Sequence, residues 1–374
     1  MTVPVPVCMV CMKRQANLSG YEHVRVVLGN QTCDLDSAVC ALVQGLFQYC
    51  DVQKENRSNV AVIPVMNILE KEFRVKTEVL YYLKHHKVPL SLLTFRDQID
   101  LHALNAENKL ELVLVDHHTL TDEDSSLANS VVEIIDHRPQ DVAWTWTGKR
   151  INLQTVGSCA TLVAKNMLEK HPDIVDSQVS NLLRGPILVD TCNFSTEADR
   201  ATPTDFEVIQ SLEEVGSLDT ERDAVYREIL SAKTDITGLT PSDLMIKDLK
   251  VVNGIPIAGF PMLVQNFVAL NGAFEAVESF TKSRYCTLTI LIGMDLKNNA
   301  MSRDIGVFSL DSNELENKII RALTSSTDPN LDLVEENRVA GKGRNLVIYK
   351  QRNVRATRKQ ILPIIQSALA GCRC

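Results

Sequence analysis

Asp34 and Asp36 stand two residues apart in GNQTCDLDS, directly after the apolar run VRVVL. Asp116 closes LELVLVDHH, Asp136 and His137 close VVEIIDHRP, and Asp190 closes GPILVD. Each run reads as a buried parallel strand whose carboxyl end delivers an acidic or imidazole side chain to one edge of a sheet, where open α/β sheets bind ligands. Carboxylates meeting there repel one another unless cations neutralise them. The implied chemistry is a multinuclear divalent-metal site. Oxygens from Asp34, Asp36, Asp116 and Asp190, one nitrogen from His137 and no thiolate favour Mg2+ or Mn2+ over zinc. Two such ions about 3.5–4 Å apart bridge a water, lower its pKa and hold it in line with a phosphorus centre. Arg138, Lys250 in IKDLK and the pair Arg358–Lys359 offer cations for phosphate charge. Of His117 and His118, one is expected to support Asp116 from outside and the other to pack or be solvated. Cys33 and Cys192 read as small hydrophobes.

The elements that must position these groups follow from periodicity. Residues 24–29 are strand-like, and Ala38, Val39, Leu42, Val43, Leu46 and Phe47 then recur at helical spacing, which predicts an amphipathic helix over 37–50. Strands are expected at 59–66, 89–94, 111–115, 131–135 and 186–190, with helical stretches at 75–86, 157–170 and 202–216. The 157–170 helix opens on Gly157–Ser158, either a phosphate cradle or an ordinary helix start. Lys84–His85–His86–Lys87 reads as a solvated helix end. After about residue 220 the texture changes to a strand–helix mixture (DLKVVNGIPIAGF, RYCTLTILIGMDL, RDIGVFSL, NLVIYKQ) suited to a small mixed sheet, followed by a basic tail that includes Lys342.

At 374 residues the chain has room for two cores. A net charge of −8 argues against a broadly cationic nucleic-acid face, so a small polyanion would be held by local cations. No apolar run approaches the ~20 residues of a membrane span. Ten cysteines read as free thiols, including the Cys8/Cys11 and Cys372/Cys374 pairs, and the expected compartment is the cytoplasm, with a mitochondrial pool and protein partners left open.

In their order, GNQTCDLDS, VDHH, IDHRP and LVD resemble the four motifs of the DHH phosphoesterase superfamily. LMIKDLK, MSRDIGVF and NVRATRKQILPIIQ resemble the DHHA2 domain shared by family II inorganic pyrophosphatases and prune-type exopolyphosphatases; PVMNILEKEFRVKTEV and LTFRDQID look prune-like. The resemblance spans residues 24–368. It implies an α/β chain with an N-terminal parallel-sheet DHH domain (1–218), a smaller mixed α/β DHHA2 domain (219–374) and an active site in the cleft between them. It further implies metal-dependent phosphoanhydride hydrolysis, most of all of short-chain polyphosphate. The alternatives are a cyclic-nucleotide phosphodiesterase, an inorganic pyrophosphatase, and a regulatory or scaffold protein with weak activity. Carried over by position, the resemblance makes Asp34, Asp36, Asp116, His137 and Asp190 ligands to two ions, with Asp116 bridging. It makes Asp116, His137 and Arg138 catalytic, and Asn30, Arg138, Lys250, Arg358 and Lys359 substrate-binding. Two departures stand out: Asn30 and Arg138 replace histidines of the pyrophosphatase pattern. The first makes the site richer in oxygen and shifts preference towards Mg2+. The second removes a proton donor for the leaving phosphate, which predicts slow turnover of pyrophosphate.

Overall fold

The computed structural model describes residues 18–370 apart from 122, 298–299, 312–313 and 342, so the terminal cysteine pairs and Lys342 lie outside the described residues. The chain forms two units, the first ending at Asp235 and the second beginning at Ile236.

In the first unit the order is β1 (His23–Leu28), α1 (Leu35–Lys54), β2 (Val60–Met66), α2 (Thr77–His85), β3 (Thr94–Phe95), α3 (Leu101–Ala106), β4 (Leu110–Val115), β5 (Val131–Asp136), β6 (Arg150–Leu153), α4 (Cys159–Lys170), α5 (Ser177–Asp190), α6 (Pro203–Gly216) and α7 (Arg222–Thr234). The strands form one six-stranded sheet in the order β3-β2-β1-β4-β5-β6, every neighbouring pair parallel. β2 is buried along its whole length and β1 nearly so, which is why both read as continuous apolar runs. One face packs Val27, Val62, Val113 and Ile135 under residues of α1, α2, α4, α5 and α6. The other packs Val26, Leu112 and Ile134 under α3, the 3-10 turn Ser125–Ser130 and Trp146. Strand order reverses between β1 and β4, so the loops leaving these two strands part and open a crevice at their carboxyl ends.

The expected strand over 186–190 is not there; those residues are the last turns of α5. Asp176 starts that helix by accepting the Gln178 and Val179 N–H groups, both at 2.9 Å, and Val179, Leu182, Leu183 and Ile187 form its buried stripe. A short apolar run is compatible with helix or buried strand, and here packing decided. Gly185 lies against the Tyr82 ring so closely that any Cβ would collide with it. The expected strand over 89–94 shrinks to Thr94–Phe95, preceded by a 3-10 turn. Among the described residues no helix is long and apolar enough to cross a membrane.

The second unit runs α8 (Pro241–Lys247), β7 (Asp248–Val252), β8 (Ile255–Phe260), α9 (Val264–Val268), α10 (Ala273–Ser283), β9 (Leu288–Lys297), β10 (Ala300–Leu310), α11 (Glu314–Ser325), β11 (Leu333–Gly341), β12 (Arg344–Gln351) and α12 (Arg358–Leu369). Its sheet is mixed, ordered β11-β12-β10-β9-β8-β7, with β8–β9 the parallel pair. α11 and α12 cover one face; α8, α9 and α10 cover the other.

Asp304 on β10 is buried and accepts the Val264 and Gln265 N–H groups at 2.8 and 3.0 Å, fastening α9 to the sheet. Burial outweighs those two bonds and pushes its carboxyl up to about 6. A carboxyl raised in the folded state adds stability that is complete below its unfolded value near 3.8 and is lost as pH rises through about 6. Wild type is therefore expected to gain up to about 3 kcal/mol relative to Asp304→Asn as pH falls from 7 to 4. Urea titrations of both proteins across that range test this, and a pH-independent gap would refute it.

Candidate metal centre

The loop after β1 turns on Gly29, where any Cβ would strike the Ser37 hydroxyl. Asn67 fixes this turn by donating to the Gly29 carbonyl at 2.9 Å. Asp34 then caps α1, its Oδ1 accepting the Ser37 N–H at 3.1 Å and its Oδ2 the Thr32 hydroxyl at 3.1 Å. Asp36 lies in the first turn of α1, buried. Its two oxygens accept the N–H groups of Cys159 and Ala160, both at 2.8 Å. The start of α4 is thus an anion cradle, and the anion it holds is Asp36. The neighbouring Gly157 N–H goes to Asp205 at 2.8 Å. Substrate phosphate, the role weighed for Gly157–Ser158, has these donors already taken.

Asp116 follows β4 with φ +61°, a left-handed conformation that aspartate tolerates better than most residues. It receives the Asn30 amide on Oδ2. Its Oδ1 lies 3.4 Å from His137 Nε2 and 3.7 Å from an Arg138 nitrogen. His137 donates from Nδ1 to the Val156 carbonyl at 3.1 Å, which turns Nε2 towards Asp116 and makes it the nitrogen a cation would find once its proton is displaced. Oxygen atoms of Asp36 and Asp116 and a nitrogen of His137 all lie within 4.8 Å of one another.

Asp136 positions this corner and was absent from the expected site. Fully buried, it accepts the His137 and Arg138 N–H groups on Oδ1 at 2.8 and 3.3 Å, and His118 Nδ1 on Oδ2 at 2.5 Å. His118 Nε2 in turn accepts the Asp141 N–H at 2.8 Å. His118 therefore supports the 137–138 peptide through Asp136, not Asp116. His117 is buried against the Val115 carbonyl, and burial lowers its pKa. The sequence signal for Asp136 was its place at the end of the apolar run VVEII, directly before His137, which marked it as an acid at the sheet edge but not as the acceptor of the following N–H groups.

Asp190 ends α5, half-buried, with an Oδ2 that is sealed from solvent and has no hydrogen-bond partner. Burial first, then repulsion from Asp36 and Asp34, raises its pKa well above the ordinary range. Asp116 is driven up to about 8, by burial and then by Asp36, with His137 opposing. His137 is disfavoured as a cation by burial, yet its bond to Asp116 and the charge of Asp36 lift it to about 9. These groups fit a hard divalent cation. Two buried carboxylates and one imidazole nitrogen are a donor set that lacks only positive charge, and the orphaned Asp190 oxygen adds to the negative potential on it.

The expected ligands thus separate. Asp36, Asp116 and His137 form one group; Asp34 and Asp190 act on it electrostatically without joining it. Arg138 is half-exposed beside Asp116. Lys250, Arg358 and Lys359 belong to the second unit. Lys250 and Lys359 are exposed there, and both Arg358 Nη nitrogens bind Asp248, at 2.8 Å to its carboxylate oxygens.

The DHHA2 domain family matches residues 227–368. Exopolyphosphatase PRUNE1 of Homo sapiens is 31% identical over 364 residues, covering 96% of this chain and 78% of that protein. The chain belongs to the DHH/DHHA2 superfamily, close to its prune-type members. A manganese-dependent inorganic pyrophosphatase of Methanothrix thermoacetophila is 25% identical over 231 residues, covering 60% of this chain and 64% of that one. A Methanococcus jannaschii structure assigned to the family II inorganic pyrophosphatases shares the fold, with a TM-score of 0.55 at 19% identity over 93% of this chain and 100% of its own. The motifs that resemble the DHH superfamily coincide with the geometry: VDHH carries Asp116 and the supporting His118, and IDHRP carries Asp136, His137 and Arg138.

If Asp136 orients the His137 ligand, Asp136→Ala is expected to weaken Mn2+ binding roughly 10–100-fold in a folded protein, and His118→Ala to weaken it in the same direction. Calorimetric titration with Mn2+ reads this; unchanged affinity in both variants would remove them from the metal centre.

Proposed function

We propose that this chain is a Mg2+- or Mn2+-dependent hydrolase of phosphoanhydrides that acts on short polyphosphates as an exopolyphosphatase. The observation that carries the reading is the buried Asp36–Asp116–His137 group beside a half-exposed guanidinium. Its likeness to the human exopolyphosphatase supports it. A hard divalent ion on these ligands supplies Lewis acidity and an acidified water. The protein's own part is orientation. The start of α4 fixes Asp36, the Val156 carbonyl fixes the His137 tautomer, and Asp136 fixes the 137–138 peptide. Arg138 presents its donors to the non-bridging oxygens of the terminal phosphate. Hydrolysis forms the bond from water oxygen to terminal phosphorus and breaks the bond from that phosphorus to the bridging oxygen. The guanidinium releases no proton near neutral pH, so the leaving phosphate is protonated from solvent. Lys250 and Lys359 are proposed as further cations for substrate phosphates, with Arg358 assisting if it releases Asp248. Free thiols at the six described cysteines support a reducing compartment such as the cytoplasm.

Phosphate release from tripolyphosphate, pyrophosphate and a cyclic nucleotide, with Mg2+, Mn2+ or chelator, tests the reading. Tripolyphosphate is expected to turn over faster than pyrophosphate, only with metal, and Asp116→Ala to lower the rate by roughly 10²–10³-fold or more. Folded, metal-loaded protein inert on all three substrates would refute the proposal. Lys359→Ala is expected to raise KM for tripolyphosphate about tenfold with a smaller effect on kcat; an unchanged KM would remove Lys359 from the substrate site.

A further inference from the structure

Asp205 lies in the first turn of α6, fully buried, and stands outside the ligand group. Its Oδ2 accepts the Thr202 N–H and the Thr202 hydroxyl, both at 2.7 Å, and the Gly157 N–H at 2.8 Å. Its Oδ1 accepts the Thr161 hydroxyl at 2.5 Å. The two bonds from Thr202 belong to the capping box that starts α6. The other two leave α6 and reach the start of α4. They grip it on either side of Cys159 and Ala160, whose N–H groups hold the two oxygens of Asp36.

The chain contains a second copy of the box for comparison. Thr240-Pro241-Ser242-Asp243 opens α8 as Thr202-Pro203-Thr204-Asp205 opens α6. Asp243 Oδ2 accepts the Thr240 N–H and hydroxyl at 2.7 and 2.6 Å, the same pair of bonds. A cap accounts for what Asp205 receives from Thr202, and not for what it receives from Gly157 and Thr161. The Gly157 approach also depends on a missing side chain: any Cβ there would lie 2.6 Å from Thr191 Cγ2 and 3.1 Å from Asp205 Oδ2. The first N–H groups of a helix have no partner within it, so the direction in which they point is set by what anchors that turn from outside.

We propose that Asp205 is a positioning residue of the metal centre: it fixes the start of α4, and through the Cys159 and Ala160 N–H groups the angle at which Asp36 offers its oxygens to a divalent ion. This rests on the metal-centre reading above. Without Asp205 the first turn of α4 loses both anchors, the N–H pair is free to swing, and Asp36 turns with it.

The test is Mn2+ affinity of the full chain by calorimetric titration, independent of turnover, on proteins that thermal melts show to be folded. Asp205→Ala is expected to weaken binding about tenfold, the lower end of what a ligand's lost support costs. Asp205→Asn is expected to stay nearer wild type, because its amide oxygen still accepts from Gly157 and Thr202 and its Nδ2 donates to a Thr161 hydroxyl turned to accept. Asp243→Ala, which removes the matching cap in the second unit, is expected to lower Tm and leave Mn2+ affinity unchanged. Wild-type affinity in folded Asp205→Ala overturns the proposal. Equal losses in Asp205→Ala and Asp243→Ala also overturn it, because loss of any cap then suffices. If Asp205→Ala does not fold, Thr161→Val decides: it releases only the Oδ1 bond and is expected to weaken binding in the same direction, and unchanged affinity there overturns the proposal. A wild type that binds no Mn2+ overturns the metal centre itself, and this inference with it.

Discussion

Mutual repulsion among Asp36, Asp116 and Asp190 is the constraint the rest of the first unit answers. Two unit charges at 4 Å in partly buried surroundings repel by about 4 kcal/mol, and desolvation adds to that. The upward displacement of Asp116 and Asp190 expresses both costs. The chain meets them with oriented N–H groups. Asp36 takes two from the start of α4, Asp136 two from the peptides it precedes, and Asp205 those of Gly157 and Thr202. Each bond fixes a carboxylate without neutralising it. The outcome is a rigid, electron-rich corner at the point where β1 and β4 part, a receptor that a divalent ion completes.

Rigidity there has a chemical purpose. Stabilisation of charge developing on phosphate depends on groups already aimed before reaction. His137 cannot rotate without losing the Val156 carbonyl, and the 137–138 peptide cannot shift without leaving Asp136. Asp136 is held in turn by His118, whose second nitrogen accepts from Asp141 and whose carbonyl accepts the Trp146 indole at 2.9 Å. The ligand corner is thereby tied into the core on the sheet face that α3 covers.

Much of this was legible in the sequence, for a physical reason. Strands buried on both faces must be apolar and β-branched almost throughout, and a polar residue at their end has nowhere to go but the sheet edge; β1, β4 and β5 fit that reasoning. GPILVD imitates it and is a helix, because the stripe that buries α5 begins with Val179, eight residues before Ile187, beyond the window that invited the strand reading. Asp190 consequently sits at a helix C-terminus, whose partial negative charge adds to the repulsion. The start of α4 was legible as an anion site, but not that its anion is Asp36, which is 123 residues away in the chain. The Asn30 amide was illegible in the same way. Its orientation is set by Thr32 nearby and Asp116 far off, and only the fold brings the three together.

The arginine at position 138 separates this site from one built around a second imidazole, and on the proposed function it bears on the choice of substrate. A guanidinium stabilises negative charge on phosphate as well as an imidazolium does, but it gives up no proton. The departing group must then leave with its charge largely borne by cations, or wait for a proton from water. Orthophosphate, the leaving group from pyrophosphate, is the stronger base and suffers most from that lack. Pyrophosphate, the leaving group from tripolyphosphate, spreads its charge over two phosphorus centres and suffers less. Preference for the longer anhydride thus needs no pocket that measures chain length; it follows from a site that offers charge without a proton.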